Sequence, residues 1–191
     1  MPQLNFKRLP RASEIAEHLL AKAELAFGPR DADWTFSGVT EWSRGPQVLY
    51  PNDKEAMIGS SPGADADECK LLFQLAHEVV HLLSPNQGQS DAMMIEEGAA
   101  VWFSIYGPEF PIADYQGRAL DHIRTHAGTQ NYRCALDLHT DLDAVYSNSI
   151  RALRAARPRF YEMTPEFIVE TVGASKALAD QLCERVPMRP R

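Results

Sequence analysis

The sequence predicts an α+β domain, mostly helical, with a small sheet of about three strands near its N-terminal end. Three observations carry this. Apolar residues recur at helical spacing over residues 12–27 and over most of the chain beyond 66. Between them, residues 34–58 hold three short runs of β-forming residues, WTFSGVTEW, QVLY and EAMIGS, broken by SRGP and PNDK. The 191 residues, 45% of them hydrophobic, suffice for one domain with a sizeable core.

The first helix is expected over 12–27. Ser13 stands near its start, and Glu14 and Glu17 lie in its first turns. Ile15, Leu19, Leu20 and Leu25 supply apolar positions, and Gly28-Pro29 ends it. After the three strands, SSPGADADE reads as a loop, with Asp65 as N-cap and Glu68 three residues on, in the pattern of a capping box. A helix over 66–83 follows and stops at Ser84-Pro85. A loop, 84–90, leads to a helix from about Asp91 to Tyr106, which Gly107-Pro108 ends. The remainder reads as helices over 112–127, 131–156, 165–172 and 175–185. RPRFYEMTP is the one clear joint there. It divides a main body, residues 1–157, from a C-terminal helical hairpin, residues 158–191, expected to pack on the same domain.

Net charge is −7, which argues against a general surface for nucleic acid or anionic membrane. The C-terminal pair of helices, with Gly173 at the turn and Ser175 as a cap, has the outline of a helix-turn-helix. Its second helix carries only Lys176 before Asp180 and Glu184, too little positive charge for phosphate contacts. Arg151, Arg154, Arg157 and Arg159 form a modest basic patch, expected on a solvated face. No apolar run approaches bilayer length, and the first twenty residues lack the uninterrupted apolar core of a leader. Cys69, Cys134 and Cys183 are far apart and odd in number. They are expected to be reduced thiols in a cytoplasmic protein, and none a metal ligand.

The stretch that carries chemistry is QLAHEVVHLLSP, residues 74–85. On a helix, His77 and His81 lie on one face, about 5–6 Å apart at Cβ, and can aim both imidazoles at one point. That suits Zn2+, which takes neutral histidine nitrogens. Glu78 lies about 100° around the helix, poorly placed to share the ion but able to reach a water beside it as general base. Leu75, Ala76, Val79, Val80, Leu82 and Leu83 surround the motif, so the helix should be buried, where two histidines need partners. A third ligand must come from elsewhere. Position 84 is Ser and position 87 is Gln, which excludes the HExxHxxGxxH spacing. The next helix offers Glu96 and Glu97, followed by Gly98, Ala99 and Ala100, small enough to let it approach the motif helix closely.

HExxH, then a loop, then a helix bearing Glu-Gly-x-Ala resembles the gluzincin branch of the zincin metallopeptidases, especially its small intracellular "minigluzincin" members. The resemblance covers about residues 34–106. It implies a zincin-like metallopeptidase domain that binds zinc through His77, His81 and Glu97, with Glu96 a neighbour pointing elsewhere. It also implies hydrolysis of a peptide or protein substrate, bound extended along an edge strand. The candidate strand is EAMIGSS, residues 55–61, centred on Met57, Ile58 and Gly59. Thermolysin-like members carry an aspartate four residues after the ligand glutamate. Here that position is Val101, so the partner of the zinc-binding histidine must come from elsewhere. No Gly-x-Met-Glu-Asn aminopeptidase signature is present. Tyr106, Tyr115, His122, His126, Tyr132, His139 and Tyr146 are available to steady an oxyanion, and Tyr146 and His139 are the chosen candidates. The alternative is a zincin-like metal-binding domain without turnover, acting as a regulatory or partner-binding protein. Retention of Glu78 argues against it, because structure alone needs only the ligands.

Overall fold

Pro10 opens the first helix, α1 (Pro10–Phe27), where its locked φ suits the first helical position. In this computed structural model, which describes residues 6–87 and 91–187, α1 leads into a three-stranded sheet and then seven further helices among the described residues. The first five residues of the chain and the last three of the loop expected over 84–90 lie outside the described residues. Ser13 sits inside α1 rather than at its cap. Its hydroxyl donates to the Leu9 carbonyl and accepts from the Val39 amide, each at 2.9 Å, and so clips the helix to the first strand.

The strands are β1 (Thr35–Glu41), β2 (Gln47–Leu49) and β3 (Glu55–Ser60), in the order β1-β3-β2. β1 runs parallel to β3, and β2 antiparallel to it, with Gln47 opposite Gly59 and Leu49 opposite Met57. This corrects the expected edge strand. Met57, Ile58 and Gly59 lie in the central strand, with Ile58 flanked by Val39 and Val48, so both backbone edges are taken. The reason is burial: all of β3 beyond Glu55 is buried, and the most apolar run takes the middle of the sheet. Of the two edge strands, β1 is met on its outer side by Arg8 opposite Thr40 and by the Leu9 amide on the Val39 carbonyl, which leaves the short β2 as the free edge among the described residues.

The motif helix, α2 (Glu68–His81), starts two residues later than the capping box suggested. Asp65 lies in a 3₁₀ turn, and Asp67 is the cap, its carboxylate accepting from the Lys70 amide at 3.1 Å. The Gln74 side chain makes two 3.0 Å hydrogen bonds to Ser61, fixing α2 against the end of β3. Next come α3 (Met94–Tyr106), α4 (Tyr115–Thr125), α5 (Gln130–Val145), α6 (Ser149–Ala156), α7 (Pro165–Val172) and α8 (Lys176–Leu182). The helix expected over 131–156 is two helices. Asn148 adopts a left-handed φ of 58°, which asparagine tolerates, and Asp143 accepts from the Ser149 amide and hydroxyl to start α6. The turn at Gly173 (φ 72°) and the Ser175 cap fall where the sequence predicts them.

One apolar core joins the main body and the C-terminal hairpin. Leu19, Ile58, Leu75, Val79, Ile95 and Leu142 share it with Phe160, Ile168 and Leu182. A smaller cluster of Val101, Ile105, Ile123 and Leu136 lies apart. Gly98 does its packing toward α5 rather than toward α2, since a Cβ there would run into the Ala135 carbonyl oxygen and come within 3.0 Å of the His139 Cβ. The basic patch is also corrected. Arg154 is buried, 2% exposed, and its guanidinium donates to the carbonyls of Phe27, Gly28, Pro29, Leu83 and Pro158 at 2.8–3.1 Å. It gathers the ends of α1, α2 and α6. Arg159 pairs with Asp31 at 2.8 Å. Replacing Arg154 by Met keeps the bulk but takes a donor from five carbonyls, of which Leu83 keeps a second one, the Asp31 amide. Arg154→Met is expected to cost about 3 kcal/mol or more, read as a lower urea midpoint at unchanged slope.

Candidate metal centre

Residues spaced by whole helical turns line one cleft. Lys70, Phe73, Gln74, His77, Glu78 and His81 of α2 face Glu96, Glu97, Val101 and Ser104 of α3 across a cleft of about 720 Å³. Gln47 and Val48 of β2 border it on one side, and Ile123, Thr129 and Tyr132 on another.

The His77 and His81 Nε2 atoms stand 3.3 Å apart, with Glu97 closing the triangle. Its Oε2 is 3.4 Å from His77 Nε2 and its Oε1 3.8 Å from His81 Nε2. One ligand atom from each of the three residues lies within 4.8 Å of the others. Glu96 does not point elsewhere. Its Oε1 accepts from His81 Nδ1 at 2.8 Å. That bond puts the hydrogen of neutral His81 on Nδ1 and leaves the Nε2 lone pair facing His77 and Glu97. It supplies the orienting carboxylate that Val101 cannot. The sequence held a signal for it: a second glutamate directly before Glu97.

Glu78, Glu96 and Glu97 are all buried, beside two histidines. Such a site demands a cation. Burial opposes a charge on His81, yet Glu97, the hydrogen bond and charge of Glu96, and Glu78 together push its pKa up to about 10. Without metal, a proton meets the demand. A divalent ion that favours imidazole and carboxylate, such as zinc, fits the same donors. Nearby, burial above all pushes the Tyr50 phenol up to about 12; its oxygen accepts from the Asn86 amide.

Two expected oxyanion donors are not in the cleft. His139 is 2% exposed and packs between Phe27 and Trp102, with ring centroids 6.4 and 5.6 Å away. Burial drives its pKa down to about 4 against the opposing pull of Asp143, so it is a neutral core histidine. Tyr146 ends α5, 46% exposed, away from the cleft-lining residues. Tyr132 and His122, from the same pool, do line the cleft, and the Tyr132 ring stands edge-on to His77 at 5.8 Å. Only the turn between α4 and α5 brings them there, and no sequence spacing announces it.

Compared with protein-family models, with curated proteins and with solved structures, the chain matches none.

Glu97→Ala is expected to weaken zinc binding more than Glu96→Ala. Glu96→Ala should still cost about 10- to 100-fold in affinity through the lost hold on His81, measured by competition with a chelating dye. The metal-free protein should also show a pH signature. The folded pKa of His81 lies above its unfolded value of about 6.5, so its stabilising contribution is full below that pH and is lost as pH rises toward 10. Urea midpoints of chelator-treated protein should fall across that range, and the fall should flatten in His81→Gln.

Proposed function

We propose that this chain is a zinc-dependent metallopeptidase of zincin type, with Glu78 as general base. The observation that carries the reading is the meeting of the His77 and His81 Nε2 atoms with the Glu97 carboxylate in a cleft that Glu78 also lines. His77, His81 and Glu97 would hold the ion. When bound, zinc supplies a Lewis acid that polarises the scissile carbonyl and brings the pKa of water toward neutrality.

The chain's own residues do the rest. Glu78, one position from His77 and buried, takes a proton from the attacking water and passes it to the leaving amine. The Tyr132 phenol, beside His77, is the candidate donor to the oxygen that becomes negative. β2, bordering the cleft with Gln47 and Val48, supports binding of an extended peptide by strand addition, in the place the sequence assigned to β3. All three cysteines are free thiols, which accords with a reducing compartment such as the cytoplasm. No helix among the described residues is long and apolar enough to cross a membrane.

Glu78→Gln should retain zinc and lose about 10²- to 10⁴-fold in peptide hydrolysis, measured on a mixed peptide library with metal content checked by elemental analysis. Equal turnover in the variant would remove Glu78 from the chemistry. No turnover in either protein, with zinc fully loaded, would favour a metal centre that serves regulation or partner binding.

A further inference from the structure

Beyond the histidines, the cleft changes character in one direction. Lys70, Phe73 and His77 lie within about 60° of one another around α2, since each residue turns about 100°. Phe73 is thus one turn from His77, about 6 Å along the axis, and Lys70 about 10 Å. On α3, Val101 is one turn beyond Glu97. Phe73 and Val101 meet in the same small apolar cluster, so the two helices run in opposite directions here and their faces change character together. Ile123 and Tyr132 complete the apolar walls. None of these four side chains carries a charge, whereas the metal site beside them is crowded with carboxylates.

Lys70 is half-buried and makes no ion pair among the described residues. The other cation lining the cleft, Arg185, stands at the opposite end, bridged to Met93 just ahead of α3 and donating to the Asp91 carbonyl at 2.7 Å. Lys70 therefore offers an uncommitted positive charge past the apolar stretch.

We propose that this end of the cleft selects its substrate. It takes one bulky apolar side chain beside the bond to be cut, against Phe73, Val101, Ile123 and Tyr132, and a carboxylate at Lys70 one or two residues further on. An extended peptide rises about 3.3 Å per residue, which spans the interval from His77 to Lys70 with the reach of the lysine side chain included. The carboxylate can be an acidic side chain or a free C-terminus. The proposal rests on the metallopeptidase reading.

The test is titration calorimetry of the zinc-loaded full chain with peptidyl hydroxamic acids. These carry a methyl, isobutyl or benzyl group at the position next to the zinc-binding moiety. Isobutyl and benzyl probes should bind about tenfold or more tighter than methyl, the gain from burying such a side chain. Val101→Phe, and Ile123→Phe from the opposite wall, should shrink that ratio. A carboxylate added beyond the apolar group should tighten binding to wild type and not to Lys70→Met. Amidated probes with an acidic side chain, set beside probes with a free C-terminus, identify which source Lys70 takes. Equal affinities across the three side chains would overturn the apolar subsite. A carboxylate effect that survives Lys70→Met would overturn the role of Lys70. No hydroxamate binding by fully zinc-loaded protein would instead overturn the metallopeptidase reading itself.

Discussion

Two imidazoles and three carboxylates share one buried corner, and that concentration of negative charge is the constraint on which the rest of the structure depends. Buried carboxylates are costly without a compensating cation, whether a proton on His81 or a metal ion between His77, His81 and Glu97. Part of the compensation is built into the backbone. Glu96 and Glu97 occupy the first turn of α3, where the unpaired amides and the helix dipole favour negative charge.

The surroundings hold these groups in register from several sides. Gln74 pins α2 to the sheet through Ser61. The Glu184 carbonyl accepts from the Met94 amide at 2.9 Å, so the C-terminal segment caps the helix that carries Glu96 and Glu97. Gly98, directly after Glu97, lets α3 press on α5 at Ala135. Arg154 ties the end of α1 to Leu83, just past the motif helix. A change in any of these reaches His77, His81 and Glu97 through backbone position rather than through chemistry, which is how small displacements of a supporting shell degrade a site.

Much of this was legible in the order of residues. The three strands and the two helices that line the cleft appear close to where periodicity and turn residues place them, α2 starting at Glu68 and α3 at Met94, two and three residues later than expected, because those signals are local. The misreadings have a common cause. The capping-box spacing points to Asp65, but Asp65 lies inside a 3₁₀ turn and Asp67 caps the helix. EAMIGS reads as a strand but not as a central one, because neighbours in a sheet are chosen by burial across the whole domain. Arg154 reads as a surface cation until five carbonyls from separate segments converge on it.

By itself the sequence determined the chemistry available: two histidines one helical turn apart, a glutamate beside the first, and a pair of glutamates on the next helix. Their spacing follows from helix geometry and needs no tertiary contact. The tertiary structure alone decided the assignment of roles. It turned Glu97 toward both Nε2 atoms and Glu96 toward His81 Nδ1, brought Tyr132 rather than His139 or Tyr146 to the cleft, and left β2 as the open edge. Those outcomes depend on how helices cross and which strand is buried, and no local spacing encodes them.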